Sequence, residues 1–577
     1  MSSSSALAAL AFAGLLSLSG WPVFAEVPRL VAPAEVRGVL ANFLERPDLG
    51  DATERAAFAR RAQREAANLL ATEGYFSPRV ELRRDDGELV LLVEPGERSQ
   101  IGAVHIDLLG DLTEERRASL IAGWRLKRAQ AFRQSDWDEA KHALLADLLA
   151  VDYAGARLRE TRAEVDPVAR RVELYIVAET GPRYRFGELK ISGLQRYSAA
   201  LVARFNDSVK VGDNYREDRL LALQNALQST PYFSSVSVTL ERADDREEAP
   251  ALASDGVLTA PVLVRLRERS PYQVSLGGGY STNTGLRMEA TYRNSDVFSR
   301  AWELQSGLRI EQLRQTAYAD LFFPPDERRR RDGVGTSFEE SDIAGLAIRR
   351  FAVGAMRVQQ RGSVEQRLSV NWQEEKRLPD GAPESSSRAL TALLAWTWRH
   401  AVDPLDPAEG VSLQVQLGGG SRNLLSDQDF LRAYLRYSQG IPLSARDALL
   451  VRGEVGATLA PSRVGIPQDF LFRAGGSNSV RGYAYQSLGV REGTATVGGR
   501  YLLTMSAEYL HWLSATWGAA VFVDAGDAFD ERRVRQLATG YGVGARWRSP
   551  AGPLGIDLAW GQRVGKLRLD FSLAIPF

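Results

Sequence analysis

The chain of 577 residues contains no cysteine, which excludes disulfides and thiolate metal sites. Its four histidines, His105, His142, His400 and His511, are scattered without metal-ligand spacing, so no metal is expected. Net charge is also absent: 72 Lys+Arg balance 72 Asp+Glu, which gives no ground for a nucleic acid or an acidic substrate as partner. There is no Gly-x-Ser-x-Gly, no phosphate loop and no nucleophile set beside a base. No catalytic residue, enzyme activity or cofactor is therefore expected. Beyond residue 25 no apolar stretch is long enough for a membrane-spanning helix, which needs roughly 18 residues or more. With 44% apolar and 25% charged residues, the chain reads as folded and several domains long.

The one long apolar run is N-terminal. Ala6 to Leu18 followed by Val23-Phe24-Ala25 reads as a secretory signal peptide over residues 1–25, with Ser2 to Ser5 where Lys or Arg usually stands. A secreted chain without a spanning helix is soluble, lipid-anchored or a barrel. The missing cysteine removes a lipidated N-terminal cysteine from that set.

Residues 26–96, 97–181 and 182–269 repeat one pattern. A short strand (Ile101–Ile106, Phe186–Ile191, and a poorly marked one near Leu30-Val31) leads into two helical stretches. The second helix ends in a tyrosine turn at Tyr75, Tyr153 or Tyr232. Two alternating strands close each unit: Val80–Arg84 with Leu89–Val93, Ala156–Glu160 with Val172–Val177, and Val236–Glu241 with Val262–Leu266. Such α+β units leave a sheet edge that either pairs with an extended peptide or is blocked in a rigid spacer. Glu241 to Pro261 is acidic and Pro/Ala-rich and reads as a mobile loop.

From Tyr272 the period changes to two. Leu286, Met288, Ala290 and Tyr292 alternate with polar neighbours, as do Val411, Leu413, Val415 and Leu417, and Leu554, Ile556, Leu558 and Trp560. Leu567, Leu569, Phe571, Leu573, Ile575 and Phe577 share the face of the last segment. No helical segment remains to cover these faces, and lipid would, around a closed sheet that leaves no backbone group unpaired; the alternative is a soluble β-sandwich or propeller. Tyr292, Trp302, Trp398, Tyr509 and Trp547 recur near strand ends, as an aromatic girdle requires. Roughly 306 residues at about 19 per strand and connection give about 16 strands over residues 270–577.

A long Gly-rich connection at 474–493 carries Arg481. Parity of the strands Tyr501–Trp512 and Ala519–Gly526 turns Glu508, Phe522 and Asp524 toward the lumen. An Arg folded inward could bind both carboxylates; alternatively it lies in solvent on a surface loop. The first strand, Tyr272–Tyr280, contains Gly277, Gly278 and Gly279. These glycines either weaken strand order or pack tightly against the inner wall. The last strand carries Pro576 beside Phe577, and a proline removes a donor from a closing seam. The run Arg328–Arg331 could suggest lipid headgroups, but its flanking prolines and acids read as a solvated turn or loop.

Val480-Arg481-Gly482-Tyr483 resembles the Val-Arg-Gly-Phe/Tyr signature of the BamA/TamA superfamily of outer-membrane assembly factors. Phe522-Val-Asp524-Ala-Gly526 resembles its Phe-x-Asp-x-Gly strand, and Glu508 matches a second acidic position. Asp403–Gly410 and Ser549–Pro553 resemble family turns, and the repeats resemble POTRA domains. Three repeats and Tyr184-Arg-Phe-Gly187 are most like the TamA branch. The resemblance implies a transmembrane antiparallel β-barrel preceded by three α+β POTRA-like domains, in the outer membrane with the arm in the periplasm. It implies that the loop folds into the barrel and that Asp524 receives Arg481. It further implies a non-catalytic lateral-seam mechanism, unfolded outer-membrane protein clients, contact with outer-membrane lipid and a TamB-like inner-membrane-anchored partner. A two-partner secretion channel or a general BamA-like insertase are the alternatives.

Overall fold

The computed structural model describes residues 27–44, 49, 52–242, 256–401, 410–531, 536–549 and 552–576. The expected signal peptide, most of the Asp403–Gly410 turn, part of the Ser549–Pro553 turn and Phe577 lie outside the described residues. The chain divides into two compact units. One holds the first two α+β domains and part of the third, and the other holds the rest of the third with the barrel.

The first domain runs β1 (Arg29–Val31), α1 (Ala34–Phe43), α2 (Ala52–Thr72), β2 (Arg79–Asp85), β3 (Glu88–Glu94). In α2 the buried residues Phe58, Ala62, Ala66 and Leu70 recur every fourth position, one stripe of a helix. They pack on Leu89, Leu91 and Val93 of β3. The second domain repeats the order with β4 (Gln100–Leu109), α3 (Glu114–Ala122), α4 (Gln134–Ala150), β5 (Arg157–Asp166) and β6 (Arg171–Glu179). Here Thr113 caps α3 by accepting from the Arg116 N–H, with Glu114 and Glu115 in the first turn. The third has β7 (Arg183–Ser192), α5 (Ala199–Ala203), α6 (Glu217–Gln228), β8 (Phe233–Leu240) and β9 (Val257–Glu268). Each sheet places its closing strand in the centre, in the orders β1-β3-β2, β4-β6-β5 and β7-β9-β8. The opening strand pairs parallel to that centre in the first two. The turn tyrosines Tyr75, Tyr153 and Tyr232 are all buried.

One boundary differs from expectation. The loop read over Glu241–Pro261 is too long, because β9 already begins at Val257 and contains Pro261. A proline is disfavoured in a central strand. It sits here beside Gly187, where a Cβ would lie 3.1 Å from the proline nitrogen.

Within the second unit, the Glu268 carboxylate accepts the backbone N–H groups of Gln195, Arg196 and Tyr197 at 2.9, 2.9 and 3.0 Å. Burial pushes this carboxyl up, and the three donors outweigh it and hold it below its ordinary value. The Tyr197 hydroxyl lies 3.2 Å from Ser295 Oγ, and the Tyr232 hydroxyl donates to the Ala301 carbonyl at 3.0 Å. Arg329 donates to the Phe205 carbonyl and pairs with Asp207. The Arg328–Arg331 run is thus more than a solvated turn. Asp326 accepts from the Arg328 and Arg330 N–H groups, while Arg331 has entered a strand and pairs with Glu303.

Among the described residues, sixteen antiparallel strands close into a barrel from Tyr272–Ser281 to Lys566–Pro576. The two faces differ in burial: Met288, Val521, Val523, Val543, Leu567 and Leu569 are exposed, whereas Phe522, Asp524 and Asp557 are buried. Trp517 and Trp547 stack at 5.5 Å on the outer surface. No described helix is long and apolar enough to cross a membrane. An apolar outer wall on a closed sheet is the arrangement a bilayer demands. Val543→Arg is accordingly expected to cost up to about 2–4 kcal/mol at the bilayer midplane. The check is loss of the heat-modifiable folded band on a gel; an unchanged band would place this face outside lipid.

Candidate functional site

The strands Tyr501–Trp512 and Trp517–Phe529 pair so that Ser506 opposes Asp524 and Glu508 opposes Phe522. Parity sends all four side chains inward as a block on the lumen wall. Arg481, carried inward by its loop and 1% exposed, lies on that block. Its Nε and Nη2 donate to the two oxygens of Asp524 at 2.7 and 2.9 Å, and its own backbone N–H donates to Asp524 at 3.0 Å. Nη1 donates to Glu508 at 2.6 Å, and the guanidinium carbon stands 3.4 Å from the centre of the Phe522 ring. The fork, the carboxylates and the ring face together satisfy a group that could not otherwise leave water.

The cluster is larger than the sequence pattern suggested. Arg481 Nη1 also reaches Asp557 at 3.2 Å. Arg546 donates to Glu508 at 2.8 Å and to Asp557 at 2.6 Å, closing a ring of ion pairs. Asp570, directly opposite Asp557 on the last strand, accepts the Gly482 N–H at 3.3 Å. Like charges opposite one another are unfavourable, and the guanidiniums of Arg481 and Arg546 offset that. Asp557 and Asp570 were legible by the same parity that gave Asp524, since Leu567, Leu569 and Phe571 face outward around Asp570.

A second missed signal is Gly540-x-Gly542-x-Gly544. On the inward face of Ala538–Ser549, Gly540 leaves room for the loop, Gly542 for the Phe522 ring and Gly544 for the Asp557 carboxylate. A Cβ on Gly540 would sit 2.0 Å from the Arg481 carbonyl oxygen. Gly482 has φ +85°, and a Cβ there would meet the Gly561 nitrogen at 2.7 Å. Val480 is buried with Phe472, Leu488 and Leu502. The Tyr483 hydroxyl donates to the Thr539 carbonyl at 3.0 Å and accepts the Arg563 N–H at 2.9 Å. Gly526 sits against Thr504, its register partner, where a Cβ would come within 2.8 Å.

The loop has a second anchor. Its hairpin, Val490–Glu492 with Ala495–Val497, packs on Leu346 and Ile348. There Glu492 accepts from Arg377 at 3.1 Å. The seam glycines lie elsewhere: Gly277, Gly278 and Gly279 pair with Pro576, Ile575 and Ala574. Among the described residues, no His/Asp/Glu cluster could hold a metal ion.

A closed barrel with an apolar outside and an ion-paired loop within defines a transmembrane β-barrel protein, here with α+β domains ahead of it. Residues 269–577 match the Omp85 superfamily domain, and the chain belongs to that superfamily. It is 23% identical over 508 residues to the outer membrane protein assembly factor BamA of Nitratidesulfovibrio vulgaris, covering 83% of this chain and 61% of that protein. The chain therefore spans less than two thirds of that relative's length. The fold is similar to that of BamA from Haemophilus ducreyi lacking POTRA domains 1-3, with TM-score 0.67 and 15% identity over 83% of this chain and 100% of that one. This is an outer-membrane barrel whose N-terminal domains lie in the periplasm.

Arg481→Ala leaves four carboxylates facing one fewer cation. The loss is expected to approach about 3–5 kcal/mol, less whatever lumenal water restores. Limited proteolysis should then nick the loop while the barrel stays folded. Arg481→Lys should rescue only partly, Asp524→Asn should resemble Arg481→Ala, and the double variant should be little worse than either. Gly540→Val should expel the loop without changing any charge. Additive losses in the Arg481/Asp524 pair would show that the two do not act together.

Proposed function

We propose that this protein assists the insertion of β-barrel clients into the outer membrane by opening its own seam, without catalysing a reaction. The observation that carries the reading is the asymmetry of the first barrel strand. On one side it is paired along its whole length, Tyr272–Ser281. On the other, among the described residues, it meets the last strand over Gly277–Ser281. Tyr272–Ser275 have no last-strand partner among the described residues. The rung at Pro576 lacks an N–H donor. Inside a bilayer an unpaired strand edge can be satisfied only by another strand, which a client supplies.

Arg481, Glu508 and Asp524 act in this reading as an internal strut that keeps the loop in place while the seam moves. Three α+β domains, opening in the third with Tyr184-Arg-Phe-Gly187, support a TamA-like role in which the arm docks a TamB-like partner through its first domain. A general BamA-like insertase is the second reading, favoured by the BamA relative.

Two experiments test this. Because the chain has no cysteine, a pair at Tyr280 and Leu573, which face each other in register, can be introduced cleanly. The crosslinked barrel should lose client insertion, recovered on reduction; undiminished insertion by the locked form would end the lateral-seam reading. Deleting residues 27–96 should leave the barrel in the outer membrane and lower client assembly. Full assembly by that variant would remove the first domain as the docking site.

A further inference from the structure

We propose that the Arg481 loop staples the outer end of the seam through Asn283, so that the strands cannot part there until the Asn283–Ser477 contact breaks. The proposal rests on the lateral-seam reading for its meaning in client insertion, though the contact itself is independent of it.

Asn283 lies two residues beyond Ser281, where the first barrel strand ends. Its amide donates from Nδ2 to Ser477 Oγ at 2.9 Å, and its Oδ1 accepts the Ser477 N–H at 3.4 Å. An asparagine amide is both donor and acceptor, so one side chain grips both groups of Ser477. Its own N–H donates to Ser281 Oγ at 3.2 Å, which ties it to the end of the strand. Ser477 belongs to the segment that continues into Arg481 and Gly482. Those two residues hold the other flank of the seam through Asp557 and Asp570, the latter on the last strand. A path therefore runs from the first strand through Asn283, Ser477, Arg481-Gly482 and Asp570 to the last strand.

The direct link beside it is polar as well. The Thr282 N–H donates to the Phe571 carbonyl at 2.9 Å, the Phe571 N–H donates to Thr282 Oγ1 at 3.1 Å, and Arg568 donates to the Thr282 carbonyl at 3.3 Å. Two bridges thus close the outer end, and nothing comparable holds Tyr272–Ser275 among the described residues. The ends of the loop bridge differ in strength. At Arg481 the bonds are charge-assisted and buried, whereas at Asn283 they are neutral and part-buried. The Asn283 end gives way first, and Arg481 stays on the wall while the seam opens.

The test reads the seam and uses no client. In the full chain in lipid nanodiscs, amide hydrogen exchange is followed by mass spectrometry over the peptides containing Thr282 and Phe571. Asn283→Ala and Ser477→Ala should each speed exchange there roughly fivefold, the scale of one or two net hydrogen bonds, and the double variant should be no faster. Ser477→Thr keeps the hydroxyl and should stay near the parent rate. Exchange in the hairpin pairing Ser337 with Ala352 should not change. Unaltered exchange at the seam in both alanine variants would overturn the proposal. So would equal acceleration in Ser477→Thr or in the control hairpin, which would signify general loosening. A staple can fail here while the locked barrel still blocks clients, so the two readings fail separately.

Discussion

Taking a guanidinium out of bulk water is costly unless opposite charge or hydrogen bonds meet it, and at Arg481 the barrel wall meets that cost with carboxylates. Three strands contribute the carboxylates it touches, Glu508, Asp524 and Asp557, and a fourth supplies Arg546 to share two of them. No two of these residues are neighbours in sequence, so the site exists only when the sheet has its register. A one-residue slip of either partner strand would send Glu508 or Asp524 into lipid and Val521 or Val523 into the lumen. The loop and the wall therefore specify one another. The ion pairs fix the loop tip, and Gly540 leaves it room while Gly542 and Gly544 leave room for Phe522 and Asp557 beneath it.

The same sheet has to solve the problem of its edges. Sixteen strands in a ring have none if every rung is made. This ring is long-paired nearly everywhere and short-paired at one join, with a proline at its last described rung. The last strand of that join also carries Asp570, which accepts the Gly482 N–H of the loop. Stability and release are placed next to each other, so loop position and seam closure share residues.

The arm follows a simpler logic. Each domain places its closing strand centrally and covers one face with helices whose buried stripe recurs every three or four residues, as in Trp137, Ala140, Leu144 and Leu148. The third domain is the exception in its contacts, because within the second unit its Tyr197 hydroxyl bonds to Ser295 of the second barrel strand and its Tyr232 hydroxyl to Ala301 in the turn that follows. The turn tyrosines Tyr75 and Tyr153 bond within their own domains, to Glu35 and to the Asp111 carbonyl, whereas Tyr232 of the last repeat bonds to the barrel.

Local pattern decided much of this protein. Period-two alternation fixes which face of each strand meets lipid, so the inward positions of Glu508, Phe522 and Asp524 could be read without coordinates, and Asp557 and Asp570 lay within reach of the same argument. The repeat of strand, helix, helix, strand and strand was legible because each element carries its own periodicity. What tertiary structure alone decided depends on distance through space rather than along the chain. Parity gives a side of the wall and not a height on it, so it could not bring Arg546 between Glu508 and Asp557. Nor could it place Pro261 in a central strand, halve the pairing at the seam, or set Asn283 against Ser477. Those outcomes follow from strand stagger and ring closure, which belong to the whole sheet and to no single segment of the sequence.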